Sequence, residues 1–98
     1  AAAALEHVGE ALRISPEFAR AHDVKGAILL RQRLPALAAE SFGRAVALSP
    51  RNAAYRVHRA SAYLVLENEA GMCADFQSAC SFGDCEGLQW AKSAGRCR

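Results

Sequence analysis

Long apolar runs are missing from this chain of 98 residues. Charged side chains interrupt it at short intervals, so no segment reads as a membrane-spanning helix, which needs about 20 apolar residues in a row. Proline and glycine are scarce, at 3 and 7 residues, which excludes collagen-like and low-complexity chains. Aromatic residues make up only 7%, and β-branched residues are few, which argues against a sheet. Neither sign of charge dominates. The formal net charge of +2 is too small to imply nucleic acid. The first residues, Ala1-Ala2-Ala3-Ala4-Leu5, do not read as a basic-then-apolar signal segment.

The usual carriers of chemistry are missing as well. There is no Gly-rich phosphate loop, Ser nucleophile elbow or metal signature. His7, His22 and His58 lie far apart, and none forms an i, i+4 metal pair. His22 and His58 are read as packing or groove residues rather than bases. Glu67 and Glu69 flank a turn and read as solvent and cap residues. A thiol oxidoreductase would want C-x-x-C at a helix start behind a strand, and Cys80 and Cys85 do not meet that pattern. The expectation is a protein that is not an enzyme, with no cofactor and no catalytic or metal residues.

What is present points to helices. Hydrophobic residues are 52% and charged residues 22%, a composition that folds as one small domain. Alanine is abundant, and it is the strongest helix former. Set against itself at an offset of 34 residues, the chain matches along most of its length. Pro16 falls on Pro50 and Asp84, Ala11 on Ala45 and Ala79, Val8 on Phe42 and Phe76, and Ala4 on Ala38 and Met72. Gly26 falls on Ala60 and Ala94, and Leu29-Leu30 on Tyr63-Leu64.

Ala38, Phe42 and Ala45 stand at i, i+4 and i+7, one stripe of a helix, and read as core. Met72, Phe76 and Ala79 repeat that stripe, as do Ala4, Val8 and Ala11. The small residue at 26 and 60 lets a neighbouring helix approach closely. Ser15-Pro16 and Ser49-Pro50 end one helix before the next begins. Helices are expected over 2–14, 18–33, 35–48, 52–66, 69–82 and 86–95, six in all. The fold class is therefore all-α.

This period and pattern resemble the tetratricopeptide repeat over nearly the whole chain. Residues 19–52 form the best copy, with Gly26, Leu29, Ala38, Phe42, Ala45 and Pro50 at the packing and terminal positions. Residues 53–86 form a weaker copy, with Asp84 in place of the proline. Lys25 and Arg59 stand where the family prefers Leu, and His22 and Arg56 where it prefers a large aromatic. The resemblance implies a right-handed α-α superhelix of antiparallel helix pairs. Residues 1–16 would be the second helix of a truncated repeat, in a chain cut from a longer array. Residues 86–98 would be a capping helix, with Trp90 on the aromatic position and Ala94 on the close-approach position. Ala4, Leu5 and Val8 would leave an apolar face through which an isolated fragment could pair as a homodimer.

The resemblance further implies that first helices line a concave face that receives a peptide or partner protein. The lining would be Arg20, Asp23, Ala27, Leu30 and Arg31, then Ala54, Val57, His58, Ser61 and Leu64. Some members clamp a C-terminal carboxylate with Lys, Arg and Asn. Asp23 and Ala27 stand where a Lys and an Asn would be wanted, so such a clamp is not expected here. Residues 13–59 hold nine Arg and Lys against three acids, Glu17, Asp23 and Glu40. That balance would suit an acidic partner. Nucleic acid is not expected, because aromatics for base stacking are sparse there.

All four cysteines lie late in the chain, at Cys73, Cys80, Cys85 and Cys97. If the last two helices are antiparallel, Cys80 faces Cys85 across the turn and Cys73 faces Cys97 at the open end. The segment 79–87 also resembles cysteine-rich relatives of the family, in which a bridge ties helices together. Two alternatives stay open. The thiols could be buried and reduced, or they could hold zinc, although spacings of six, four and eleven residues lack a C-x2-C knuckle. Disulfides would imply a periplasmic or extracellular setting, and free thiols a cytoplasmic one. Three roles compete: a protein-binding scaffold, a structural cap ending a longer array, and a redox-sensitive disulfide module.

Overall fold

A computed structural model of the chain describes residues 18–97. They form five helices: α1 Ala19–Arg31, α2 Pro35–Leu48, α3 Ala53–Val65, α4 Glu69–Ser81 and α5 Glu86–Ser93. No strand occurs among the described residues. The expected helix over 2–14, its Ala4-Val8-Ala11 stripe and the homodimer face all lie outside the described residues.

The helix ends follow from local sequence. Pro35 occupies the first turn of α2, where its missing N–H leaves no bond unmade. The Asn52 and Asn68 side chains cap α3 and α4, accepting from the Tyr55 and Gly71 amides at 3.2 and 2.9 Å. At the other ends, α1, α3, α4 and α5 close in the same way. Amides of Leu34, Asn68, Asp84 and Arg96 reach back five residues to the carbonyls of Leu29, Tyr63, Ala79 and Ala91. Each closure needs one left-handed residue, and Arg33, Glu67, Gly83 and Gly95 supply it, with φ of 63°, 59°, 105° and 73°. Helix α2 ends differently, at Ser49-Pro50, with the Ser49 amide on the Ala45 carbonyl.

Consecutive helices pack on one another, and α1 also touches α3. The result is a row of helix pairs in a repeat-like arrangement. The stripes on α2 and α4 carry the core: Ala38, Phe42 and Ala45 are buried, as are Met72, Phe76 and Ala79. Phe42 joins Leu29, Ala39 and Ala62 in one cluster; Phe76 joins Ala60, Ala91 and Cys97 in a second; and Tyr63 packs against both. A Cβ added at Gly26 would stand 2.6 Å from the Phe42 ring, so the bare backbone there is what admits that ring.

The last helix departs from the expected register. Ala94 is not a close-approach residue; it is the exposed cap beyond a helix that ends at Ser93. Trp90 is not buried either. It is 46% exposed and meets Phe76 edge-on, with ring centroids 6.3 Å apart. Gly87 and Ala91 take the inner places instead, Gly87 directly against the Phe76 ring. The cause is length. With only eight residues, α5 has about two turns, and it meets Phe76 through its first turn.

Candidate functional site

An apolar concave surface lies between α1 and α3. It is an open groove of about 350 Å³ lined by Ala27, Leu30 and Arg31 of α1, Phe42 of α2, and His58 and Ser61 of α3. Helical spacing explains the lining. Ala27, Leu30 and Arg31 are i, i+3 and i+4 on α1, and His58 and Ser61 are i and i+3 on α3, so each set shares one face. Phe42 reaches between them from α2 as the floor, with its ring 5.7 Å from the His58 imidazole.

One polar link fastens the rim. The His58 Nδ1–H donates to Asp23 Oδ1 at 2.7 Å, joining α1 to α3. A carboxylate can only accept, so this contact sets the proton on Nδ1. Ser61 is satisfied within its own helix, donating to the Val57 carbonyl at 3.1 Å. Arg31 is exposed and makes no ion pair among the described residues.

Of the residues expected on a concave face, Ala27, Leu30, Arg31, His58 and Ser61 come together in this groove, and Asp23 joins them through His58. Arg20 and Ala54 are exposed and do not line it. Val57 and Leu64 turn the other way and pack against the second core cluster with Met72 and Phe76. The reason is rotation. Val57, Ala60 and Leu64 share the α3 face that meets α4, His58 is turned about 100° from Val57, and Ser61 lies between the two, about 40° from Val57. Phe42 was read only as core. It is 1% exposed, and its remaining surface forms the floor of the groove.

A second constellation escaped the sequence reading. Asp75 on α4 is 2% exposed and is gripped in bidentate fashion by Arg59, with Nε to Oδ2 at 2.8 Å and Nη2 to Oδ1 at 2.7 Å. The Arg56 guanidinium approaches Oδ1 at 4.0 Å while its Nε donates to the Pro50 carbonyl at 3.0 Å. Arg59 also lies over the Tyr63 ring and Arg56 over the Phe82 ring. Hydrogen bonding to Asp75 raises the Arg59 pKa, against the opposing effect of burial. A raised cation pKa adds stability that is fully present below the unfolded value and lost as pH rises through the folded one. From neutral pH to the alkaline limit of ordinary buffers, Arg59 therefore stays charged and its contribution constant. The signal lay in the repeat itself: Arg56, Arg59 and Asp75 fall on His22, Lys25 and Ser41 at the 34-residue offset. The first copy gathers His22, Lys25 and Ser41 around one hollow with Glu40 and Arg44.

The cysteines form the third feature. Cys73 is bonded to Cys97 and Cys80 to Cys85, with Cα atoms 5.7 and 3.9 Å apart. No cysteine is free, so the reduced and zinc-bound alternatives give way to the two bridges. Cys97 is 5% exposed and belongs to the second core cluster. Arg96 reaches Glu69 at 3.4 Å beside the first bridge, closing the segment after α5 onto the start of α4. Among the described residues, no three His, Cys, Asp or Glu side chains gather as a metal site, and no helix is long and apolar enough to cross a membrane. No protein-family model matches the chain, and no curated protein matches it.

Proposed function

We propose that this chain is a tetratricopeptide-type repeat module that holds another protein by seating an extended segment of it in the α1–α3 groove. The groove carries this reading. Its size falls in the range that takes side chains of a ligand, roughly 300–1,000 Å³, and three helices supply its walls and floor. Family membership is supported by the period. The same 34-residue step relates the buried stripes and the left-handed turns at Arg33 and Glu67.

A peptide library displayed on phage, selected on the oxidised protein and counter-selected on Ala27→Glu, tests the groove. Ala27 is exposed, so a glutamate there fills the groove without entering the core and costs the helix only a few tenths of a kcal/mol. Peptides retained by the parent and rejected by the variant, with Kd of about 1–100 μM, are the expected result. Libraries that enrich nothing, or that bind both proteins alike, would sink the reading.

The disulfides favour a second role within the same chain, that of a stapled cap. Both bridges secure α5, the shortest of the described helices. They also support an oxidising compartment as the working environment, periplasmic or extracellular.

A further inference from the structure

The proposed groove has a charge as well as a shape, and the charge narrows its occupant. Between 18 and 65 the chain carries eight Arg and Lys and two acids, Asp23 and Glu40. Glu40 is tied to Arg44 at 3.4 Å on α2, and Asp23 is held by His58 at 2.7 Å. Arg56 and Arg59 are drawn to Asp75. That leaves Arg20, Lys25, Arg31, Arg33 and Arg51; of these Arg31 stands on the groove wall itself and Arg20 on the same helix, both exposed and without an ion-pair partner among the described residues. No acid is among the residues that line the groove.

We infer that the groove takes an acidic peptide: an apolar side chain in the hollow over Phe42, with an Asp or Glu one or two residues away to meet Arg31. This rests on the groove reading above and specifies its ligand. The apolar wall of Ala27, Leu30 and Phe42 supplies burial. Arg31 sits one helical turn beyond Ala27, roughly 6 Å along the axis. An extended peptide advances about 3.3 Å per residue, which gives the one-to-two-residue spacing. Arg20 lies roughly 16 Å from Arg31 along α1, beyond a Debye length at physiological salt. It therefore adds a general attraction for acidic chains and no fixed contact.

The test uses peptides from the selection described above, synthesised with a fluorophore and measured by anisotropy on the oxidised protein. Enriched peptides should carry Asp or Glu within two positions of an apolar residue. Arg31→Glu should weaken them about tenfold, and replacing their acids with Lys should restore binding to that variant. Circular dichroism should show the variant folded, because Arg31 is exposed. Enriched peptides that are neutral or basic around the anchor would overturn the acidic ligand while leaving the groove as a binding site. So would an Arg31→Glu affinity within about twofold of the parent. A labelled single-stranded oligonucleotide binding more tightly than any peptide would also overturn it. A dimer of the protein that dissociates in Ala27→Glu would assign the groove to a second copy instead. Failure to enrich any peptide would remove both the groove and its ligand.

Discussion

Two glycines show how much a single Cβ decides in this molecule. At Gly26 an added Cβ would collide with the Phe42 ring at 2.6 Å, and that ring is buried and shared between the core and the groove floor. At Gly43 an added Cβ would meet only the Arg59 guanidinium at 3.5 Å, an ordinary contact. The same substitution should therefore act with opposite sign. Gly26→Ala should destabilise by about 1–3 kcal/mol through overpacking, and Gly43→Ala should stabilise by about 0.5–1 kcal/mol through backbone entropy. Urea unfolding of the two variants beside the parent measures both. Asp75 is the other residue on which much turns. Asp75→Ala leaves Arg59 half-buried and unpaired and should cost about 3–5 kcal/mol. The double replacement Asp75→Leu with Arg59→Met removes both charges and should recover most of that loss. If the double variant is no more stable than Asp75→Ala alone, the pair is not what holds α3 to α4.

At the scale of elements, four helices end by one device and α2 by another. The five-residue return bond with a left-handed residue closes α1, α3, α4 and α5, whereas Ser49-Pro50 closes α2. Arg33 and Glu67 adopt left-handed φ without being glycine, and sequence reasoning has no strong signal for that. The helix bounds themselves were readable because caps, proline and 3.6-residue stripes are local. Expected and observed ends agree within about two residues, inside the uncertainty of any helix boundary. Helix α5 is the exception in packing: the repeat placed Ala94 and Trp90 inside, and the short helix presents Gly87 and Ala91 instead. A repeat offset carries register only while each helix keeps its length.

Across the whole molecule, a chain this small has limited core, and covalent links supplement it. The Cys73–Cys97 bridge spans 24 residues and the Cys80–Cys85 bridge 5. In the chain-entropy model the longer loop contributes about 3 kcal/mol and the shorter about 2 kcal/mol. Replacing Cys73 and Cys97 with Ala should therefore lower the unfolding free energy more than replacing Cys80 and Cys85. Amide exchange should rise first in α5 and in the Met72–Phe76–Ala91 cluster, while α1 and α2 stay protected. Uniform loss of protection across all the helices would instead mean that the array unfolds as one unit and that α5 is not a separately stapled end. Reversal of the order between the two double variants would show that the bridges act on the native packing rather than on the unfolded chain.

Helix positions, the buried stripes on α2 and α4 and the pairing of the cysteines could be read from the amino-acid order. Each depends on neighbours within a turn, or on two consecutive antiparallel helices joined by a short loop. The groove was half readable. Ala27, Leu30 and Arg31 follow from one face of one helix, but Val57 and Leu64 were placed there and pack inside instead. Which face of α3 meets α4 is a matter of rotation between helices, and a repeat pattern records it only loosely. The Arg56–Arg59–Asp75 cluster was hidden for the same reason, since charges at packing positions look like defects until the partner across the interface is known. Local order is written in spacings of three, four and five residues along one chain. The groove's floor, its fastening by Asp23 and His58, and the burial of Asp75 arise only where side chains distant in sequence converge, and there a rotation of one residue exchanges inside for outside.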